Sequence, residues 1–154
     1  MEKAATFMYW DDLKVGDEFV TPSRTVTETD LMVYTYLSGD FNVLHTDAEY
    51  CKSHPFKERI FHGPCGISFT HGLVSRLGIF EGGVIGLLEM TWKYFIPLKI
   101  GDTIHVLLTI ADKRETKKPD TGLVITGRKL INQRGETIQE GQTKMLMRRR
   151  PAQE

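Results

Sequence analysis

The alternation of hydrophobic and polar residues is clearest in the second half of the chain. Ile104, Val106, Leu108 and Ile110 stand at every second position, which is the period of a half-buried β-strand. Other segments from residue 84 onward have strand composition, and the connections between them contain Gly, Pro or Asp. The pattern predicts four long strands in antiparallel succession, over residues 84–95, 102–115, 122–132 and 136–149.

The first half of the chain predicts a strand followed by helices. The strand is expected over residues 18–27, and Thr27 with Asp30 has the spacing of a capping box that starts a helix. Gly39 stands where a left-handed residue ends such a helix. This helix is expected to present one face formed by Leu31, Tyr34 and either Leu37 or Ser38. The residues after it predict a loop, and then a short helix near Thr46 and Asp47.

A longer helix is predicted over residues 64–80, where Pro64 suits the first turn. Its apolar stripe is expected to comprise Ile67, His71, Val74 and Leu77, with Phe80 near the end. The glycines within this segment each lower helix propensity by ~1 kcal/mol, so the helix is expected to press closely against other structure. A helix of this kind followed by a run of strands predicts an α+β fold, in which a curved antiparallel sheet wraps around a central helix. We expect one such domain over residues 1–154.

Composition and charge narrow the class of protein. The chain has 154 residues with 20 basic and 20 acidic side chains, so its formal net charge is zero. This argues against general electrostatic binding to nucleic acid. The N-terminal segment has no apolar signal-peptide core, and no stretch approaches a membrane span. We therefore expect a cytoplasmic protein that does not bind membranes, in which Cys51 and Cys65 are reduced thiols.

The stretch YLSGDFNVLH, residues 36–45, brings an acid and a histidine close together. Asp40 and His45 at this spacing can share one water molecule, and a histidine carries or releases a proton near neutral pH. They can equally be ordinary loop residues, with Asp40 capping a turn and His45 at the surface. Asn42 between them is either the residue that orients the loop or a plain turn residue.

The longer stretch YLSGDFNVLHTDAEYCKS resembles the motif of the MaoC-like hydratase/dehydratase family, also called the (R)-specific enoyl-CoA hydratases. The matching positions are Gly39, Asp40, Asn42, Leu44 and His45. Val43 stands where the family has Pro, and Cys51 stands where it has Ala or Ser. The segments FKERIFHG and LLEMTWKYFIPLKIGDTI are also similar to the family, so the resemblance covers nearly the whole chain.

This resemblance implies a hot-dog fold, a homodimer and a substrate carried as a thioester of coenzyme A or acyl carrier protein. It implies that Asp40 and His45 are the catalytic pair and that the backbone N–H of Gly63 contacts the thioester carbonyl. No cofactor is expected. The expected activity is (R)-specific hydration of a 2-enoyl thioester or the reverse dehydration. The alternatives are a hot-dog thioesterase, which also activates water beside a thioester, and an acyl-CoA-binding protein without turnover.

Other residues with chemical potential leave simpler interpretations open. His71 either faces the acyl pocket or is a core histidine with satisfied hydrogen bonds. The basic run Arg148 to Arg150 either reaches the phosphates of coenzyme A or is a solvated tail. The spacings of His45, His54, His62 and His71 with the two cysteines match no zinc pattern, so no metal site is predicted. Cys65 is expected to be an inert buried thiol rather than a nucleophile.

Overall fold

The computed structural model describes residues 7–151 and consists of six strands and four α-helices within that range, after a short 3-10 turn at Trp10–Asp12. The strands and helices, in chain order, are β1 (Glu18–Val20), β2 (Arg24–Thr25), α1 (Glu28–Ser38), α2 (Val43–Thr46), α3 (Ala48–Ser53), α4 (Gly63–Ser75), β3 (Val84–Tyr94), β4 (Thr103–Glu115), β5 (Thr121–Ile131) and β6 (Thr137–Arg148). No helix in this described part is long and apolar enough to cross a membrane.

The first predicted strand, over residues 18–27, is wrong in its continuity. It forms two short strands, β1 and β2, which both pair with β4. Thr21 continues the contact with β4, because its N–H donates to the Val106 carbonyl and its hydroxyl accepts from the Val106 N–H. Pro22 follows and has no N–H to donate, so the regular ladder is interrupted there.

Helix α1 has the ends that the sequence predicts. Thr27 and Asp30 form the reciprocal capping box, and Gly39 closes the helix in the left-handed conformation with φ of 72°. The predicted apolar face is correct for the buried Leu31 but wrong for Leu37, which is 80% exposed. Thr35 is buried instead, and its hydroxyl can be buried because it donates to the Leu31 carbonyl.

The sheet is antiparallel with the order β1-β4-β5-β6-β3. The predicted alternation in β4 is confirmed, because Ile104, Val106, Leu108 and Ile110 are all fully buried. The expected simple succession is wrong for β3, which pairs with β6 rather than with β4. Strand β3 therefore forms one edge of the sheet. The chain then crosses the sheet to β4, which lies next to β1 at the opposite edge.

Helix α4 packs on the sheet beside β4 and β5, and the main core lies between them. The helix is shorter than predicted, because it ends at Ser75 and the chain then turns at Gly78, whose φ is 72°. Its buried face is also rotated from the predicted stripe. The buried residues of α4 are Cys65, Gly66, Thr70, Leu73 and Val74, whereas Ile67 and His71 are only half-buried. The α+β hot-dog arrangement of a sheet around one main helix is the predicted one.

The C-terminal basic run is held by ion pairs, although Arg148 and Arg150 remain exposed to solvent. Arg148 is the last residue of β6, Arg149 pairs with Asp11 at 3.0 Å, and Arg150 pairs with Asp12 at 2.5 Å. These ion pairs join the two ends of the described chain. The interpretation of this run as a free tail is therefore wrong for these residues, and residues after 151 lie outside the described part.

Close packing explains two of the helix glycines but not a third. A Cβ added at Gly66 would overlap the Gln139 side-chain amide, and one at Gly63 would lie 2.9 Å from the Tyr94 ring. A Cβ at Gly72 would meet nothing within 4 Å. The expected pressing of this helix against the sheet is thus confirmed at the N-terminal half of α4.

The two kinds of glycine predict opposite effects on stability. Gly66→Ala should lower the free energy of unfolding by ~1–3 kcal/mol, because the methyl group overlaps a buried amide. Gly72→Ala, the matched control in the same helix, should raise it by up to ~1 kcal/mol through helix propensity. Urea unfolding of both variants measures the difference. Equal effects of the two substitutions would contradict the close contact at Gly66.

Candidate active site

Asp40 follows directly after the left-handed turn at Gly39 that ends α1. Its backbone N–H donates to the Ser38 hydroxyl at 3.2 Å, and its carboxylate accepts from the Asn42 N–H at 3.2 Å. The side chain is about half exposed, at 53%. The turn therefore holds the backbone of Asp40 and leaves its carboxylate with free lone pairs that face the solvent.

Asn42 is the N-cap of the short helix α2. Its side-chain oxygen accepts from the Leu44 N–H at 3.0 Å, and its carbonyl accepts from the His45 N–H at 2.9 Å. This contact fixes where α2 begins, which supports the orienting interpretation over that of a plain turn residue. Val43 is the first residue of α2, a position that proline also suits. The predicted loop is thus partly helical.

His45 lies in α2 and is buried, with only 8% of its surface exposed. Its Nδ1 is 2.8 Å from the Ile60 carbonyl oxygen. Because a carbonyl can only accept, Nδ1 carries the proton and Nε2 keeps its lone pair. Burial, followed by the neighbouring His62, lowers the pKa of His45 below its ordinary value of 6.5 despite the opposing bond to Ile60. The imidazole is therefore neutral at neutral pH and can accept a proton.

His62 is a member of the site but lies outside the stretch with Asp40 and His45, within the second segment similar to the family, FKERIFHG. It is 2% exposed, and its ring stacks on the His45 ring with centroids 3.6 Å apart and an angle of 27°. Its Nε2 donates to the Asp40 backbone carbonyl at 2.9 Å, which leaves Nδ1 buried without a partner in the described structure. Its position in that segment, directly before Gly63, is the signal for it in the sequence.

These side chains form one cluster. One nitrogen or carboxylate oxygen from each of Asp40, His45 and His62 lies within 4.8 Å of the others. A single water can hydrogen bond to two atoms separated by that distance. A metal ion fits less well, because the lone pairs of an imidazole lie in the ring plane and the two stacked rings do not converge on one ion. The absence of a metal site stays a prediction.

Gly63 is the first residue of α4, beside this cluster. Pro64 has no N–H, and the Cys65 N–H donates to the His62 carbonyl at 3.0 Å, so the Gly63 N–H is a donor left available at the helix start. The helix dipole adds partial positive charge at this end. The arrangement can therefore stabilise negative charge on an oxygen that accepts a hydrogen bond from the Gly63 N–H.

Two residues of the sheet hold the start of α4 in place. The Gln139 side chain donates to the Gly63 carbonyl at 3.1 Å, and the Trp92 ring nitrogen donates to the other end of the same amide at 2.9 Å. Gly66 leaves the space that the Gln139 amide occupies. These contacts link β3 and β6 to the Gly63 amide, and no motif along the chain predicts them.

His71 lies apart from Asp40 and His45. It is on α4, eight residues after Gly63. Its Nδ1 donates to the Ile67 carbonyl at 3.0 Å, whereas its Nε2 is buried without a partner in the described structure. It is therefore not a fully satisfied core histidine. Cys65, by contrast, behaves as predicted, because burial raises the pKa of its thiol to about 12 and keeps it protonated. Cys51 is also buried and unpaired.

Comparison with known proteins assigns this chain to a family. Residues 12–133 match the MaoC like domain family. Protein MaoC of Klebsiella aerogenes is 40% identical over 111 residues, which are 71% of this chain but only 32% of that protein. The (R)-specific enoyl-CoA hydratase of Rhodospirillum rubrum is 25% identical over 139 residues, covering 90% of this chain and 91% of the relative.

A solved structure supports the fold. A Mycobacterium tuberculosis protein described as having a double hot-dog fold superposes with a TM-score of 0.81, covering 98% of this chain and 47% of that one. Its sequence identity of 18% supports the fold alone. The family match covers most of the chain and includes the segment with Asp40, His45 and Gly63. The chain therefore belongs to the MaoC-like hydratase/dehydratase family.

Proposed function

We propose that this protein hydrates 2-enoyl thioesters to (R)-3-hydroxyacyl thioesters or catalyses the reverse dehydration. The observation that carries the proposal is the group of three features at one place. These are the free ring nitrogen of His45, the carboxylate of Asp40 in the same cluster of side chains, and the unused N–H of Gly63. Hydration of a conjugated thioester needs a base, an oxyanion donor and an acid, and these groups supply them.

His45 starts the reaction as the base. Its neutral ring takes a proton from the water through Nε2, while the Asp40 carboxylate accepts the second hydrogen bond of that water and fixes its direction. The hydroxide that forms adds to C3 of the substrate, and the electron pair of the double bond moves towards the thioester. The bond between Nδ1 and the Ile60 carbonyl keeps the ring in the required tautomer throughout.

Gly63 acts on the charge that this addition creates. Negative charge moves onto the thioester oxygen, and the Gly63 N–H at the positive end of α4 stabilises it. The proton held by His45 then goes to C2, so His45 returns to its neutral form and no net proton is gained or lost. Because water and proton come from one side, addition is syn. The (R) configuration at C3 follows from the resemblance to the (R)-specific enzymes.

The acyl carrier, the cellular location and the oligomeric state belong to the same proposal. We infer a coenzyme A or acyl carrier protein thioester as substrate, no cofactor, and a cytoplasmic location. A homodimer is supported by β3, an edge strand with half-exposed apolar side chains that a second copy would cover. These side chains are Ile85, Leu87, Leu88, Met90 and Tyr94.

The activity itself is the first test. Purified protein should hydrate at least one member of a series of 2-enoyl-CoA thioesters that starts at crotonyl-CoA, seen as loss of the absorbance of the conjugated double bond. Free thiol is measured in parallel. Release of thiol at the rate of substrate loss would identify a thioesterase instead, and binding without any turnover would identify an acyl-CoA-binding protein.

The proposed pair predicts the effect of substitutions on that assay. Asp40→Asn and His45→Ala should each reduce kcat by at least ~10²-fold, and the double variant should be little worse, because both groups act on one water. Asp47→Asn and His54→Ala are the matched controls, since neither side chain belongs to the cluster, and they should keep near-normal turnover. Full activity of a folded His45→Ala protein would refute the assignment.

The pH dependence tests the role of His45 as a neutral base. Since burial lowers its pKa, the acidic limb of kcat/KM should have an apparent pKa below 6.5, with the active neutral form fully present above it. Asp40 opposes this shift by its negative charge, so Asp40→Asn should move the limb to still lower pH. Rates measured across the limb for both proteins decide this, and a limb above 6.5 would be inconsistent with the proposal.

The homodimer predicts a specific sensitivity at the β3 edge. Leu88→Glu should convert the dimer to a monomer at micromolar concentration, because a charge would be buried between the two copies. Val20→Glu at the opposite edge of the sheet, where Val20 is 62% exposed, is the control and should leave the dimer intact. Sedimentation velocity distinguishes the two states. An active wild-type monomer would disprove the dimer.

A further inference from the structure

Arg128 occupies a position that the fold reserves for apolar residues. It lies on β5 opposite Leu108 of β4, on the face of the sheet that packs towards α4. Its neighbours on that face along β5 are Val124, Thr126 and Leu130, all fully buried. Arg128 itself is 3% exposed. A long cationic side chain therefore lies on the core side of the sheet.

The charge of Arg128 has no opposite charge paired with it in the part of the chain that the structure describes. Its Nε donates to the Thr126 hydroxyl at 3.2 Å, and one terminal nitrogen lies 3.6 Å from the Met145 sulfur. No carboxylate pairs with it among residues 7–151. Burial lowers the pKa of the guanidinium to about 10, so it remains charged at neutral pH. A buried cation with two weak neutral contacts and several free N–H donors is costly unless an anion joins it.

A second unsatisfied group lines the same cavity. This cavity has a volume of about 300 Å³ and lies between the second half of α4 and the sheet. His71 and Arg128 both border it. The Nε2 of His71 is buried without a partner in the described structure. An anion bound here would favour the protonated ring, which turns Nε2 into a second donor. Glu81 borders the cavity too, but it is exposed and forms no ion pair with Arg128.

We propose that this cavity binds a carboxylate at the far end of the acyl group, so that the substrate class is a thioester of a dicarboxylic acid. The inference rests on the proposed function for the position of the thioester. Arg128 is the specificity-determining residue, since a planar guanidinium binds a carboxylate through two parallel hydrogen bonds. Val74 and Met145 border the same cavity and provide apolar surface for the methylene groups of the chain.

The geometry of α4 sets the length of the acyl group. In the proposed function the Gly63 N–H donates a hydrogen bond to the thioester oxygen. Gly63 and His71 lie on the same helix, eight residues apart. At the rise of an α-helix this separation is ~12 Å, or about two turns. A short acyl group held at Gly63 is therefore too short to span this separation, whereas a medium-length chain is long enough.

Binding of saturated thioesters tests the cavity without any turnover. Titration calorimetry compares adipyl-, suberyl- and sebacyl-CoA with hexanoyl-, octanoyl- and decanoyl-CoA of equal chain length. The longer dicarboxylyl thioesters should bind at least ~10-fold more tightly than their uncharged partners, as expected for a charge-assisted bond in a buried site. Arg128→Met and Arg128→Gln should remove this preference, whereas the exposed Arg114→Met should keep it.

The variants are expected to fold. Replacing a buried unpaired cation by an apolar side chain of similar length removes a desolvation cost, so Arg128→Met should melt at the same or a higher temperature. If one of the two neutral variants does not fold, the other still decides the comparison. Equal affinity of wild-type protein for both thioester series would overturn the proposal, as would a preference that survives in either Arg128 variant.

Free anions separate the acyl site from a general anion site. Suberate and inorganic phosphate are titrated alone against wild-type and Arg128→Met protein. Binding of phosphate that depends on Arg128, without a preference for dicarboxylyl thioesters, would assign the cavity to a free anion and overturn the acyl assignment. Because these titrations need no turnover, a preference found in a protein that hydrates nothing would refute the hydratase and leave the cavity assignment in place.

Discussion

The close approach of α4 to β3 and β6 is the constraint on which the rest of the site depends. Two glycines allow it, because Gly63 leaves room for the Tyr94 ring and Gly66 leaves room for the Gln139 amide. The Gln139 side chain can then bind the Gly63 carbonyl and fix the first turn of the helix. With that turn fixed, the direction of the Gly63 N–H and the position of the preceding His62 are determined together.

His62 connects this helix start to the loop that carries Asp40. One ring nitrogen binds the Asp40 backbone carbonyl, and the ring face stacks on His45. Two imidazoles in such contact disfavour a second positive charge, which is one reason that the pKa of His45 is lowered. The contact that positions the loop therefore acts in the same direction as burial, the larger cause, and both lower the pKa of the proposed base.

Part of this organisation follows from the sequence alone. Local rules predict the ends of α1, because a capping box and a left-handed glycine depend on neighbouring residues. A motif of fixed spacing directs attention to Asp40 and His45, which the structure brings into one cluster. The pairing of β3 with β6 does not follow from such rules, because strand partners far apart in the chain are chosen by tertiary packing.

Arg128 shows why the core face of β5 is harder to predict. Val124 and Leu130 indicate that even-numbered residues point inward, but Leu123, Ile125 and Ile131 are also apolar, so the alternation has no clear phase. The role of His62 is hard to predict from the sequence for a different reason. Its role arises from a backbone carbonyl and a stacked ring that lie 22 and 17 residues away in sequence, and no pattern along the chain reports such contacts.

The strand order has a consequence for how the chain is made. β6 is the last long strand in sequence, yet it lies inside the sheet between β5 and β3. During synthesis β3 therefore has no strand partner until β6, which begins 43 residues after β3 ends, has left the ribosome, and its apolar side chains stay exposed for that time. The nascent chain thus carries an unpaired apolar strand while β4, β5 and β6 are made, which is a period when chaperone binding or aggregation of partly made chains competes with folding.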